Sequence, residues 1–181
     1  RQKKSVKTLD AVVVLGGEDA FGCLYWLGNI FTKDPIYQKK KIRLIVGPMA
    51  KGKILRLAGK VVGIVKILRN PRNLARIMSA ARVGITNAGT SLMEFSSLGV
   101  PTLVFPQSRQ EEKFMKVFLR QGGSVLGENN SQRLRQQLLC LWDDPVLWKR
   151  RSCLAQKLID GRGVKRTAQA ILQTFQERRM P

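Results

Sequence analysis

The chain has no histidine among its 181 residues. A histidine-based catalytic dyad or metal site therefore cannot be completed within it. Acidic residues are scarce as well, 12 against 33 lysines and arginines. No apolar run approaches the length of a membrane span, and the opening residues do not resemble a secretory signal. Cysteine is limited to Cys23, Cys140 and Cys153, widely spaced and in apolar company. That pattern argues for reduced thiols in a cytoplasmic protein and against a disulfide framework. No internal repeat or low-complexity linker is visible, and no pattern asks for a metal or an organic cofactor.

What is present is enough apolar residue, 44% of the chain, to bury the core of one domain. Net charge is +21, and it is unevenly spread: between Asp34 and Glu94 there is no acidic residue but there are thirteen basic ones. These run from Lys39, Lys40, Lys41 and Arg43 through Lys51, Lys53, Arg56, Lys60, Lys66 and Arg69 to Arg72, Arg76 and Arg82. Such a field attracts phosphates, nucleic acid or an anionic bilayer surface. A solvated basic face is the plainer reading of the same residues.

Residues 1–10 are polar and basic and read as a linker or tail, with the domain spanning 11–181. Short β-branched runs at 11–15, 42–46, 61–68, 83–86, 102–105 and 124–126 predict buried strands, with Gly63 a flaw in the third. Helices are expected over 21–31, from Asn70-Pro71 to 81, over 92–98 and over 108–120, with a basic amphipathic segment ending near 58. Three more, at 132–142, 145–159 and 164–176, give a helical C-terminal end. Strands alternating with helices imply an α/β, Rossmann-like parallel sheet with helices on both faces. Ligands of such sheets bind at the strand C-terminal edge.

Three loops at that edge can carry chemistry. After the first strand, Gly16 and Gly17 let backbone N–H groups approach an anion, although a glycine pair is also a plain tight turn. After the fourth strand, Ala88, Gly89, Thr90 and Ser91 lie between a buried strand and a helix start, which favours a diphosphate. Glu94, one turn on, is placed to accept both hydroxyls of a ribose. Ser91 and Glu94 equally fit a capping box, which needs no ligand. After the fifth strand, Arg109, Gln110 and Glu111 open a helix. Ser108 and Glu111 again fit a capping box, while Gln110 and Glu111 can also face a ligand held by the neighbouring loop.

The run ARVGITNAGTSLMEFSSLGVPTLVFPQSRQ, residues 81–110, resembles the signature of the C-terminal domain of GT-B-fold nucleotide-sugar proteins. That group includes the peptidoglycan N-acetylglucosaminyltransferase, the UDP-sugar hydrolase of the pseudaminic-acid pathway and spore-coat polysaccharide proteins. VVVLGGEDAFG resembles the group's opening glycine element, and LIDGRGVKR, residues 158–166, its hydrolase-like branch. The resemblance spans nearly the whole chain in the same order. It implies diphosphate binding by Ala88, Gly89, Thr90 and Ser91, ribose binding by Glu94, and uracil contact with backbone near Leu68 and Arg69. Arg109 and Gln110 fall where the group approaches the sugar or phosphates. Departures are Asn87-Ala88 for a glycine pair, Glu18 for a serine, and Lys113-Phe114 for an Asn-Ala pair.

The resemblance thus implies a UDP-sugar partner and an N-terminal domain, absent from this sequence, that supplies the other wall of the cleft and the usual base. The chain alone is then expected to be inactive. The reaction is expected to be UDP-sugar hydrolysis, favoured by LIDGRGVKR. The alternative is glycosyl transfer at an anionic bilayer, favoured by the basic stretch and placing the protein at the inner membrane face. Either reaction would stabilise a leaving diphosphate with N–H groups and cations. A nucleic-acid-binding module rests on charge alone, without a reader motif.

Overall fold

A computed structural model describes residues 6–17, 22–56, 61–62 and 65–177, with only the backbone described at 61, 62 and 177. The strands are β1 Leu9–Val14, β2 Ile42–Val46, β3 Val61–Val62, β4 Val65–Arg69, β5 Ala81–Thr86, β6 Thr102–Val104 and β7 Ser124–Leu126. They form one sheet in the order β3-β4-β2-β1-β5-β6-β7. Setting β3 aside, the strands are parallel and their spatial order is third, second, first, fourth, fifth, sixth. This is the doubly wound order, whose direction reverses between β1 and β5.

The run at 61–68 is two strands, not one. β3 pairs antiparallel with β4, Val62 opposite Val65. An antiparallel edge strand on a parallel sheet is a common ending, and Gly63 lies outside the described residues. β1 begins at Leu9, inside the segment read as a linker. Asp10 is held there by Lys41 N–H, which donates to its carboxylate at 2.7 Å, and by Trp142 Nε1, which donates to its carbonyl at 3.0 Å.

The helices are α1 Cys23–Lys33, α2 Pro35–Gln38, α3 Leu74–Ser79, α4 Thr90–Ser97, α5 Arg109–Arg120, α6 Ser131–Asp143, α7 Pro145–Leu158 and α8 Gly163–Glu177. One expected helix is shorter than its pattern suggested. Asn70 takes a left-handed φ of 40°, so α3 starts four residues after it, at Leu74. Among its described residues, the basic amphipathic segment after β2 forms a 3-10 turn, Gly52–Arg56, anchored by buried Ile54. Elsewhere the capping chemistry sets the boundaries. Asp34, Ser108, Asn130 and Asp144 each accept a backbone N–H at the start of α2, α5, α6 and α7.

Alternate residues of β1 serve the two faces. Ala11, Val13 and Leu15 meet Leu24, Leu27 and Phe31 of α1 and Leu134, Leu138 and Trp142 of α6. Val12 and Val14 meet Met78 at α3 and Phe95 of α4. Every one of these side chains is nearly or fully buried, at roughly 1.5–3 kcal/mol each for the large ones. α7 runs beneath the opposite edge from the ligand loops: Trp148 Nε1 donates to Arg82 O at 2.6 Å and Ser152 Oγ to Gly99 O at 2.6 Å.

Candidate nucleotide-binding site

Because the strand order reverses between β1 and β5, their following loops diverge to opposite faces and leave a crevice. Gly16 adopts a φ of 82°, and a Cβ built on it would lie 3.8 Å from Asn87 Nδ2, so the two loops are neighbours. Both Gly16 and Gly17 are exposed. Glu18 and the rest of 18–21 lie outside the described residues.

The loop after β5 is Asn87-Ala88-Gly89. Ala88 is buried against Leu92, Met115 and Phe118, which fixes the loop to α4 and α5. Gly89, in extended conformation, is the N-cap of α4, and no side chain caps that helix. Among the described residues no acceptor takes the N–H groups of Gly89, Thr90 or Ser91. They carry the positive end of the helix dipole without a partner. Thr90 is exposed and Ser91 is 8% exposed.

The Ser91–Glu94 capping box is overturned. Ser91 lies inside the helix, at its second position, so neither residue can bridge the cap. Glu94 is exposed, and its carboxylate has no hydrogen-bond or ion-pair partner among the described residues. The structure therefore gives it no internal task.

The Ser108–Glu111 box is formed by half. Ser108 Oγ accepts Glu111 N–H at 3.1 Å, but the Glu111 side chain does not return to Ser108. Its carboxylate instead accepts Gln107 N–H at 2.7 Å, Asn87 Nδ2–H at 2.8 Å and Ala88 N–H at 3.3 Å. The loops after β5 and β6 are thereby clasped together. Ala88 N–H, expected to face a phosphate, faces Glu111. Arg109 and Gln110 are exposed and their side chains bond to no described residue.

Leu68 and Arg69 reach the same edge but stand three strands from β5, about 14 Å away at the usual strand spacing. Leu68 packs into the core beside α3 and pairs with Ile45 of β2; Arg69 is exposed. Lys51, Lys53, Arg56 and Arg72 are likewise exposed in segments following β2 and β4, at the ligand edge. Lys40 and Arg82 are not one field with these. Lys40 lies 4.6 Å from the Trp142 ring and Arg82 lies 5.8 Å from the Trp148 ring, toward the other end of the strands.

Sequence reasoning missed three participants. Asn87 is the partner of Glu111, and Gln107 places its N–H on the same carboxylate. Thr86 Oγ1 and Gln107 Nε2 are buried without a partner, directly below and beside the loop. A cavity of about 570 Å³ between the start of α1 and the loops after β6 and β7 was also unforeseen; Trp26, Phe105, Gln107, Glu112 and Asn129 line it. A polar residue ending a buried strand, as in Thr86-Asn87, was the one available signal.

The chain superposes on about half of several much larger proteins. The calicheamicin glycosyltransferase matches at a TM-score of 0.70 and 16% identity, over 100% of this chain and 46% of its own. The fold is that of one half of a GT-B glycosyltransferase. A putative UDP-N-acetylglucosamine 2-epimerase from Listeria monocytogenes matches at 0.69 and 18% identity, over 92% and 45% of the two chains. The glycotransferase of kitacinnamycin matches at 0.66 and 21%, over 96% and 44%. The chain thus spans less than half the length of each. No family model matches it, and no curated protein does. No helix among the described residues is long and apolar enough to cross a membrane.

Proposed function

We propose that this chain is the C-terminal, UDP-sugar-binding half of a GT-B enzyme of glycan biosynthesis, with glycosyl transfer as its reaction. The diphosphate sits on the N–H groups of Gly89, Thr90 and Ser91. The hydroxyls of Thr90 and Ser91 assist, and Gly16 and Gly17 admit its other side. Glu94 takes the ribose hydroxyls. Backbone at Leu68 and Arg69 meets the base, and Arg109 and Gln110 reach the sugar. Exposed Lys51, Lys53 and Arg56 raise the local concentration of anionic ligand. A second, N-terminal half supplies the acceptor wall and the base, which a chain without histidine leaves to be provided.

The carrying observation is the pairing of an uncapped helix start with a partnerless carboxylate one turn below it, at the sheet's switch point. Neither has a structural task, and together they match the charge pattern of a nucleoside diphosphate: anion at the dipole, paired hydroxyls at the carboxylate. Solved structures sharing the fold include two glycosyltransferases and an enzyme named for a UDP-sugar.

Sugar-nucleotide hydrolysis is the second reading, and LIDGRGVKR is what favours it. That element has a local structural role, however. Asp160 receives Arg166 Nη1–H at 2.6 Å, Nη2–H at 3.1 Å and Arg162 N–H at 2.9 Å, which holds the start of α8. Glycosyl transfer is therefore preferred. Calorimetric titration with UDP tests the binding: saturable heat that excess inorganic phosphate does not abolish is expected. Equal response to UDP and phosphate would count against the reading.

A further inference from the structure

We propose that Arg150 and Arg151 form a site for a small oxyanion, the phosphate or carboxylate group of a free ion or of the end of a small molecule. The site lies at the sheet edge opposite the nucleotide loops and is independent of the nucleotide reading.

α7 presents Leu147, Arg150, Arg151 and Leu154 along one stripe, at the i, i+3, i+4, i+7 spacing of a helix face. These four and Gly122 enclose a cavity of about 170 Å³. Gly122 and Gly123 lie between α5 and β7, and α7 packs directly on them. A Cβ on Gly123 would lie 2.8 Å from Ala155 N and Cα, so backbone meets backbone there. Gly122 has a φ of 76°, and a Cβ on it would lie 3.2 Å from Leu154 Cδ1. The frame of the cavity is therefore fixed by close packing.

The Arg151 guanidinium is anchored in that frame. Its Nη1 donates to Gly122 O at 2.9 Å and to Ser124 O at 3.4 Å. Its other two nitrogens, Nε and Nη2, have no acceptor among the described residues, and Nε is buried. Those two share the edge of the guanidinium that takes a carboxylate or phosphate through two parallel hydrogen bonds. No carboxylate pairs with Arg150 or Arg151 among the described residues. Burial, and after it the like charge of Arg150, lower the Arg151 pKa, while Cys140 acts in the other direction. A cation withdrawn from water is ordinarily paired, and leaving it unpaired is costly. Here one guanidinium is held with its fork empty, and a second of the same sign stands beside it; an anion would satisfy both.

Size limits the ligand. Clefts that hold a whole organic molecule run to about 300–1,000 Å³. This one is smaller and takes a single anionic group. Leu147 and Leu154 offer that group no side-chain hydrogen bond, so its polar contacts fall to the two arginines.

The test is NMR of the Arg151 Nε–H signal in the full chain, titrated with inorganic phosphate and separately with acetate. Sodium chloride at matched ionic strength controls for screening. A saturable shift with phosphate or acetate, beyond the chloride response, is expected. A response to phosphate alone identifies a phosphoryl ligand, and a response to acetate alone a carboxylate. Arg150→Gln should weaken the fitted affinity about two- to fivefold, the scale of one exposed charge pair. Its melting without added anion should be no lower than wild type, since a like charge has been removed. Arg151→Lys keeps the charge but loses the fork, so stabilisation by phosphate on melting should shrink. Shifts with phosphate and acetate no larger than those with chloride would overturn the proposal. So would an Arg150→Gln protein that binds as tightly as wild type, a comparison that stands even if Arg151→Lys does not fold.

Discussion

Gly47 and Gly17 approach so closely that a Cβ on Gly47 would lie 2.5 Å from the Gly17 carbonyl oxygen. The same atom would be 2.6 Å from Gly16 O and from Gly17 Cα, so backbone surrounds it on every near side. Met49 N–H also donates to Gly17 O at 3.1 Å. The loop after β2 therefore braces the loop after β1.

Gly47→Ala should accordingly cost about 1–3 kcal/mol of stability, since no flexible side chain can yield. Urea unfolding should show a lower midpoint at unchanged slope. Gly163→Ala, where an added Cβ meets nothing within 4 Å, is the control and should stay within about 0.5 kcal/mol. Equal midpoints for the two variants would contradict the close approach.

Lys7 predicts a particular pH dependence. Its Nζ donates to Ser79 O at 2.9 Å, and burial lowers its pKa from the ordinary 10.5 to about 8. Between those two values the unfolded chain keeps a proton that the folded chain has released. Stability from this group therefore rises with pH across that window and is lowest below it. Lys7→Met should remove that part of the slope. Urea midpoints at about pH 7 and about pH 9.5 check it: the wild-type change minus the Lys7→Met change should be positive. A difference of zero or below would show that Lys7 is not desolvated.

Asp160 and Arg166 should govern the start of α8 without governing the fold. Asp160 is exposed, and hydrogen bonds from Arg166 and Arg162 hold its pKa down to about 2. The carboxylate is thus ionised and paired above its unfolded value, and pairing is lost as pH falls toward 2. Salt screens so exposed a pair. Asp160→Asn should speed amide exchange in the first turns of α8 at low salt while leaving the global melting transition in place. Exchange identical to wild type at low salt would mean that the pair does not order this terminus.

Much of the fold was legible because β-branched runs and glycine stops repeat along the chain. β2, β5, β6 and β7 fell on VIL-rich runs, and Asp144-Pro145 announced α7. The division of 61–69 into β3 and β4 was not legible, because the run VVGIVKIL reads alike as one strand or as two. The late start of α3 at Leu74 depends on the left-handed turn at Asn70, which no periodicity carries. At the site, spacing located the uncapped loop and Glu94. It could not decide between cap and ligand, because Ser-x-x-Glu fits both; only the position of Gly89 as N-cap separates them. The Glu111 clasp links residues 24 positions apart, so it appears only once β5 and β6 lie side by side.

Glu94 is where the account is most exposed to a direct measurement. Since Gly89 holds the N-cap position of α4 and the Glu94 carboxylate has no hydrogen-bond or ion-pair partner among the described residues, Glu94→Gln should change stability by no more than about 0.5 kcal/mol. If its carboxylate grips the ribose, a charge-assisted hydrogen bond is replaced by a neutral one, at roughly 1.5–3 kcal/mol, or about tenfold or more in affinity. UDP titrated into wild type and Glu94→Gln, with melting recorded in parallel, decides it. The predicted result is near-identical melting, markedly weaker UDP binding in the variant, and a much smaller difference for a 2′,3′-dideoxy analogue. Unchanged UDP affinity in a well-folded Glu94→Gln protein would contradict the nucleotide site.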